Sequence, residues 1–511
     1  MLPDGDNPHP PIRWRGFTAR QVAVRLFFTC WLVYGLHFAT DIVREHYPAI
    51  ALGDRLSFRL DEFGGLHPDL FEKEGYGWHI GNNPGVSMFA AIPYALARPV
   101  IDPIVRRVQA RRLASGAQPP EYDTPWPNER RFFREAWERG LDVKLGLAAA
   151  VTQLLFMAPL SALSVLLIFY VLRFMVGSDR RAFWLSILYA FATPVFYRTA
   201  FLNHNLAMGI IAFAAFVAMW DPAGTGRFSP RSKFLLAGLV GGTAILFDYS
   251  GVVLLGGLFL YGLARYWTSS GWPDRFRSGV WYAAGAIVPI LLLLFYQWRS
   301  FGNPFLPGQH WMPPVEWIEL GYQGYGPPQL ELLFALAFDL RFGVFAFSPF
   351  LLLVLLIPWA NRGAHRTLPS REMWAIVVIS VGMWVFFAGS NYTRLQFNTG
   401  LRYLSPIMPF LFLLAVPALV RLRALPVYLI GVFSIGWMWA LAMYREVERP
   451  LGVLDPVLQT LVQGFDLPVL RTIERVGGAY GGLAAFGTSP LPLFALTAAL
   501  IAGIWLTGRR A

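Results

Sequence analysis

Uncharged apolar runs long enough to cross a lipid bilayer recur along this chain, and no other feature restricts its fold as much. The stretch AAAVTQLLFMAPLSALSVLLIFYVL, residues 148–172, contains no charged side chain. Crossing a hydrocarbon core of ~30 Å takes about 20 apolar residues in a helix, and only helices or closed barrels satisfy the backbone there. The runs are long and continuous, which predicts helices. Twelve spans (11 to 13) are expected, near 21–39, 148–172, 183–199, 204–220, 234–248, 250–264, 279–298, 342–360, 373–390, 403–420, 424–442 and 491–507. The expected fold class is an all-α polytopic membrane protein. Composition agrees: 14% of residues are charged and 55% hydrophobic, against about 25% charged in soluble domains. That balance excludes an ordinary soluble enzyme and a disordered chain.

Residues 1–20 read as a polar cytoplasmic tail without a cleaved signal peptide, which leaves the first span as its own anchor. The single cysteine, Cys30, lies in an apolar run and excludes an intrachain disulfide or a cysteine metal cluster. With 43 Lys and Arg against 31 Asp and Glu, the formal charge is +12. Placing both termini in the cytoplasm puts Arg180, Arg181, Arg231, Lys233, Arg277, Arg366 and Arg423, with others, on short inner loops. This satisfies the positive-inside rule, so the basic excess is topological and no nucleic-acid partner is implied. Residues 84–105 are apolar but contain Pro93, Pro99, Pro103 and Arg98. A crossing there would invert every later helix, so an interfacial helix in the outer headgroup region is expected. The organisation expected is a tail, 1–20; a membrane module, 21–442, including outer loop 40–147; and an outer loop with a last span, 443–511.

Nearly half of the 31 acidic residues fall between Asp41 and Asp142, in the first outer loop. Carboxylates near a membrane are costly, which makes this loop the catalytic candidate. Asp41, in HFATDIVREHYPAI, follows directly on the first span, where partial desolvation would make it a better base. The competing reading is that Thr40 or Asp41 caps a helix starting at Ile42, with Glu45 completing a capping box. Asp61 and Glu62 are candidates for a second acid, or belong to a solvated turn. Trp78, His79, Asn82 and Asn83 are candidates for sugar contacts, with Asn83 alternatively capping a helix ahead of Pro84. Arg402 and Tyr403, in NTGLRYLSPIMPF, stand at the outer mouth of a helix, where a guanidinium fork suits a phosphate. Arg341 is a further candidate, or is simply paired with Asp339. His204 and Asp248 occupy outer helix ends, for a ligand or for an interhelical contact. Trp311, Trp317, Tyr322 and Tyr325 form either a lid or an interfacial aromatic belt. There is no P-loop, GxGxxG, HExxH or CxxC, so nucleotide-driven or zinc chemistry has no support. The long carboxylate-rich loop and the lack of paired broken helices argue against a transporter.

The order of these features resembles the GT-C glycosyltransferase superfamily. It comprises a first helix ending in an acidic residue, a long outer loop, the Pro-Gly segment NPGVSMFAAIPYAL and the basic helix end LLIFYVLRFMVGSDRRA. The segments FLNHNLAMGIIAFAAF, GLVGGTAILFDYSGVVLL, YQWRSFGNPFLPG, LRFGVFAFSPFLLL and LRYLSPIMPFL are similar to segments of bacterial membrane proteins of that superfamily. The similarity runs from about Asp41 to Phe410. It implies a polyprenyl-phosphate sugar donor, an outward-facing site and a carboxylate base, which falls on Asp41, with a phosphate-binding arginine placed on Arg402. The sequence departs from the closer relatives at Asn82 and Asn83, where an acidic-basic pair usually precedes the Pro-Gly. The expected function is inverting transfer of a sugar to an acceptor hydroxyl of a glycan, lipid or protein at the outer face of a bacterial inner membrane. A non-catalytic lipid-binding or lipid-translocating protein is the alternative. No cofactor or metal site is expected, and a divalent cation is left open.

Overall fold

The computed structural model describes residues 16–124, 126–266, 272–314, 316, 321–363, 366–396, 399–476 and 488–507. The chain is 71% helical, and the only strands among the described residues form one antiparallel pair, so the fold is all-α. In chain order the elements are α1 (Ala19–Leu36), α2 (His46–Arg55), β1 (Leu70–Lys73), β2 (Gly77–Ile80), α3 (Gly85–Ser115), α4 (Pro127–Glu138), α5 (Asp142–Val176), α6 (Asp179–Ala192), α7 (His204–Trp220), α8 (Pro230–Phe247) and α9 (Gly251–Tyr266). They continue with α10 (Trp272–Phe301), α11 (Leu330–Phe338), α12 (Ser370–Ala388), α13 (Met408–Arg421), α14 (Ala424–Tyr444), α15 (Leu454–Gln463), α16 (Pro468–Arg475) and α17 (Leu491–Leu506). Among the described residues, five helices are long and apolar enough to cross a membrane: α3, α5, Phe276–Phe301 of α10, α12 and α14.

Local sequence explains several ends. Thr18 starts α1 through a reciprocal capping box with Gln21, at 3.3 Å and 2.9 Å. The expected span at 183–199 is divided, because Pro194 follows the end of α6 and a single turn, Val195–Arg198, completes it. The expected helix at 342–360 is instead a series of short pieces, Val344–Phe347, a 3-10 stretch Pro349–Leu356, and Ile357–Ala360. Pro349 has no N–H to continue the first piece. The expected cap on a helix from Ile42 is absent: α2 begins at His46, with Glu45 at its N-cap and no side-chain capping bond. Asn83 likewise does not cap α3, whose N-cap is Pro84. Residues 84–105 belong to a continuous 31-residue helix that accommodates all three prolines. Trp317 and most of the N-terminal tail lie outside the described residues.

The main core joins α1, α5, α6, α7 and α13 around Tyr34, Phe169, Tyr189, Phe213 and Phe410. Small residues bring helices together where membrane packing requires it: a Cβ on Gly238 would stand 1.9 Å from the Tyr282 carbonyl oxygen, which closes α8 onto α10. The segment between α1 and α5 has a separate core, with Tyr47, Phe63, Tyr94 and Ile101 packed on Leu145 and Ala148 of α5. Asp54 fastens this subdomain by pairing with Arg98 at 3.1 Å and Lys144 at 2.5 Å. The helix that anchors it is unusually long, 35 residues, with a π-helical stretch at Gln153–Met157. There the Leu154 carbonyl accepts the Trp31 indole N–H of α1 at 2.7 Å.

Candidate functional site

A cavity of about 960 Å³ opens where α1 ends and several interhelical loops meet. Its walls come from the link between α1 and α2, residues 66–69, Tyr122 and the start of α4, the start of α7, the α8–α9 turn, residues 305–312 and 322–325, residues 386–395 and 399–403, and residues 443–446 and 468–475. Chain geometry places the polar groups. Asn203 caps α7 by accepting the Leu206 N–H at 3.1 Å, which sets His204 at the first helical position. Asp248 ends α8 and accepts from the Ser250 backbone N–H at 2.9 Å and its hydroxyl at 2.6 Å, which turns the chain into α9.

One side of the cavity holds a connected chain of charges. Arg44 Nε lies 3.2 Å from Glu45 and its Nη1 3.1 Å from Asp69. Glu45 Oε1 is 2.6 Å from His204 Nδ1, and His204 Nε2 is 3.4 Å from Asp248. Because Glu45 makes no capping bond, its carboxylate is free to turn inward. Burial would raise the Glu45 pKa, but His204, by charge and hydrogen bond, together with Arg44 and Arg402, holds it well below the ordinary value. Asp69 is likewise lowered, with the charges of Arg44, His67 and Arg402 outweighing burial.

A stability prediction follows. Removing one partner of a buried pair strands the other, so Glu45→Ala is expected to cost about 3–5 kcal/mol, read as a lower melting temperature in detergent. The pH dependence has a definite sign. A carboxylate depressed in the folded state stabilises above its unfolded pKa of about 4.3, and that contribution disappears as pH falls from there through the lower folded value. Between pH 5 and 3 the parent should therefore lose stability more steeply than Glu45→Gln. Parallel slopes would remove Glu45 from this role.

The other side is built on Asp41. Its carboxylate is 47% exposed and lies 3.6 Å from Arg445 Nε. Arg445 is 7% exposed and Arg198 3%, and their guanidinium groups both stand 5.0 Å from the ring centroid of Phe201. Arg198 donates to Thr399 and, at 3.2 Å, to the Gly400 carbonyl. Arg445 donates to the Tyr197 carbonyl at 2.8 Å. Arg198 Nε and Arg445 Nε and Nη2 are buried without a hydrogen-bond partner, a costly state for charged donors. Burial pushes the Arg445 pKa down and Asp41 opposes that push. The Arg445 backbone is also strained, with φ of 32°, a conformation retained mainly where the surroundings impose it. Other nearby acids are engaged elsewhere: Glu446 pairs with Arg449 and Arg475, each at 3.2 Å, and Glu129 accepts from Thr124 at 2.6 Å.

Comparison with protein-family models, curated proteins and solved structures finds no match.

The cavity brings together Asp41, His204, Asp248, Arg402 and Tyr403 from the sequence candidates. Arg402 stands 5.3 Å from the Tyr403 ring centroid and interacts electrostatically with Arg198. Other candidates lie outside. Asp61 pairs with Arg59 at 3.0 Å and accepts the Trp78 N–H at 2.9 Å; Glu62 pairs with Arg55 at 2.7 Å. These two acids therefore secure the short 3-10 turn Asp61–Phe63 and do not supply a second cavity carboxylate. Trp78 covers Gly64, and His79 is buried in β2 with Nε2 3.2 Å from the Tyr76 carbonyl. Asn83 donates to the Ile245 carbonyl at 2.6 Å and so ties the loop to α8, while Asn82 donates to the neighbouring Asn83 carbonyl at 3.2 Å. Arg341 is exposed and paired with Asp339 at 3.1 Å. Arg44, Asp69, Arg198 and Arg445 were not singled out from sequence, and Glu45 only as the partner in a capping box. The available signal was the spacing of Asp41 and Glu45 in DIVRE, two acids four residues apart beside an arginine. Among the described residues, no three His, Cys, Asp or Glu side chains converge as metal ligands.

Proposed function

We propose that this protein is a GT-C-type glycosyltransferase of the bacterial inner membrane, which moves a sugar from a polyprenyl-phosphate donor to an acceptor hydroxyl at the outer face. The observation that carries the reading is the pairing of Asp41, half-exposed in the cavity, with the buried Arg445, beside a second buried arginine, Arg198; Arg198 Nε and Arg445 Nη2 have no hydrogen-bond partner. A base and an anion grip at one place are what displacement of a phosphate leaving group requires.

In this reading α1, α5 to α10, the pieces of 344–360, α12, α13, α14 and α17 form the twelve spans, with both termini inside. The helix α3 lies along the outer surface. What favours this is its company: its buried face packs on the loop core and on the first turns of α5, while Ile92, Leu96 and Val100 remain exposed along one side. That one-sided apolar stripe suits a headgroup interface.

The donor phosphate lies against Arg198 and Arg445, with Arg402 beside them. Asp41 takes the proton of the acceptor hydroxyl as its oxygen attacks the anomeric carbon. The bond from that carbon to the phosphate oxygen breaks, its electron pair leaves with polyprenyl phosphate, and the configuration inverts. The phosphate passes from one negative charge towards two, so arginines poised there favour the transition state over the bound donor. The test is transfer of a radiolabelled sugar from a polyprenyl-phosphate donor in proteoliposomes. Labelled product supports the reading. Donor binding or lipid movement without product would instead establish the lipid-handling alternative.

A further inference from the structure

Beyond α14 the chain forms a second outer structure, the hairpin of α15 and α16, turning at Gly464 with φ of 84°. Its two arms face different surroundings. On α16, Pro468, Arg471, Thr472 and Arg475 line the cavity. Thr472 Oγ1 lies 2.5 Å from Thr40 Oγ1, next to Asp41, and the Arg475 carbonyl accepts the Asp123 N–H at 3.0 Å. The polar side of α15 turns to this arm, with Gln459 and Gln463 both within 3.4 Å of Arg471 Nη2.

The remaining side of the hairpin carries Leu458, Leu461 and Val462, at the i, i+3, i+4 spacing of one face of α15, and Phe465, just past the turn at Gly464. All are exposed, Leu461 at 76% and Val462 at 83%. Leucine and valine at such exposure on a structured segment call for an apolar partner. Its identity is indicated by what the stripe adjoins. Phe465 stands edge-on to Phe494 with centroids 6.0 Å apart, and Phe494 belongs to α17, an apolar helix with no buried residue at all. The level is fixed as well, since Phe494 is 6.3 Å from Trp439, near the end of α14, and 6.0 Å from His37, just past the end of α1. The stripe is thus continuous with a lipid-facing helix at the outer boundary of the bundle.

We infer that α15 is seated in the outer leaflet, with Leu458, Leu461, Val462 and Phe465 against acyl chains, and that the hairpin is the partition a lipid-linked substrate passes to reach Asp41. The second half rests on the proposed transferase reading; the first does not. Two measurements separate them. A nitroxide on Val462→Cys, in nanodiscs of phosphatidylcholine and phosphatidylglycerol, is expected to collide more with oxygen than with a water-soluble nickel chelate. A label on Glu121→Cys in the outer loop should show the reverse; Cys30 is buried and does not compete for label. A water-like profile at 462 would overturn the seating in lipid. The double variant Leu461→Asp/Phe465→Asp is expected to raise KM for a long-chain polyprenyl donor at least tenfold, and to leave kcat and KM for a short-chain, water-soluble prenyl donor unchanged. Equal losses with both donors would overturn the partition. If the parent itself transfers no sugar, the transferase reading fails while the label at 462 still decides the lipid contact.

Discussion

Asp41→Asn is expected to reduce sugar transfer by about 10²–10⁴, the usual range for loss of a general base, with donor binding retained or slightly tightened. The direction of the binding effect follows from local charge. Asp41 is the carboxylate nearest Arg445, so neutralising it leaves the arginines less compensated and more attractive to a phosphate. A purely structural role predicts the opposite pattern. Were Asp41 chiefly the counter-ion that keeps Arg445 in place, its loss would weaken the donor site and lower the melting temperature along with the rate. Its side chain is 47% exposed and 3.6 Å from Arg445 Nε, so it is open to solvent and substrate, and the melting temperature of Asp41→Asn reads directly what the buried Arg445 loses. Single-turnover transfer and donor titration on the same preparation distinguish the cases. Transfer within tenfold of the parent would remove Asp41 from catalysis.

The second large effect is expected at the buried arginines. Arg198→Gln and Arg445→Gln should each lower kcat by about 10²–10³, comparable to losing one oxyanion donor, with a smaller change in KM. The split arises because the interaction strengthens as charge builds on the leaving phosphate. Arg445→Lys keeps the charge but not the planar fork that donates to both the Tyr197 carbonyl and a ligand, so it should recover only part of the rate. Arg341→Gln is the control: exposed and satisfied by Asp339, it should change transfer by less than twofold. A rise in KM with kcat unchanged would show uniform donor binding and refute the assignment of the pair to the transition state.

Much of the helical framework was legible because a bilayer imposes a simple rule, and long uncharged runs obey it. The run at 148–172 lies within α5, and 204–220 and 424–442 within or equal to α7 and α14. Where the reading went astray, a proline or a tertiary contact decided. Pro194 and Pro349 broke two expected helices, whereas Pro93, Pro99 and Pro103 did not break α3, because packing against the loop core holds that helix together. The cavity was only half legible. Asp41, His204, Asp248 and Arg402 stood out as polar residues at helix ends. Arg198 and Arg445 did not, because each lies in ordinary surroundings, FYRTA and MYREV, and gains meaning only when both close on Phe201. Glu45 figures in the sequence only as the partner of a capping box, and only the fold shows its side chain turned to His204. Asp61 and Glu62 show the reverse: acidic pairs attract notice in sequence, yet neighbouring arginines satisfy both.

The length of α5 also bears on what can serve as acceptor. Trp31 and Gly35, near the end of α1, meet this helix at Leu154, so Asp41 lies close to that level. From there to Asp142 the helix rises a further ~18 Å at about 1.5 Å per residue, carrying the loop subdomain upward like a canopy. If Asp41 is the base, as proposed, an acceptor reaches it beneath this subdomain, which favours a lipid headgroup or a single extended strand of polypeptide or glycan over a folded globular acceptor.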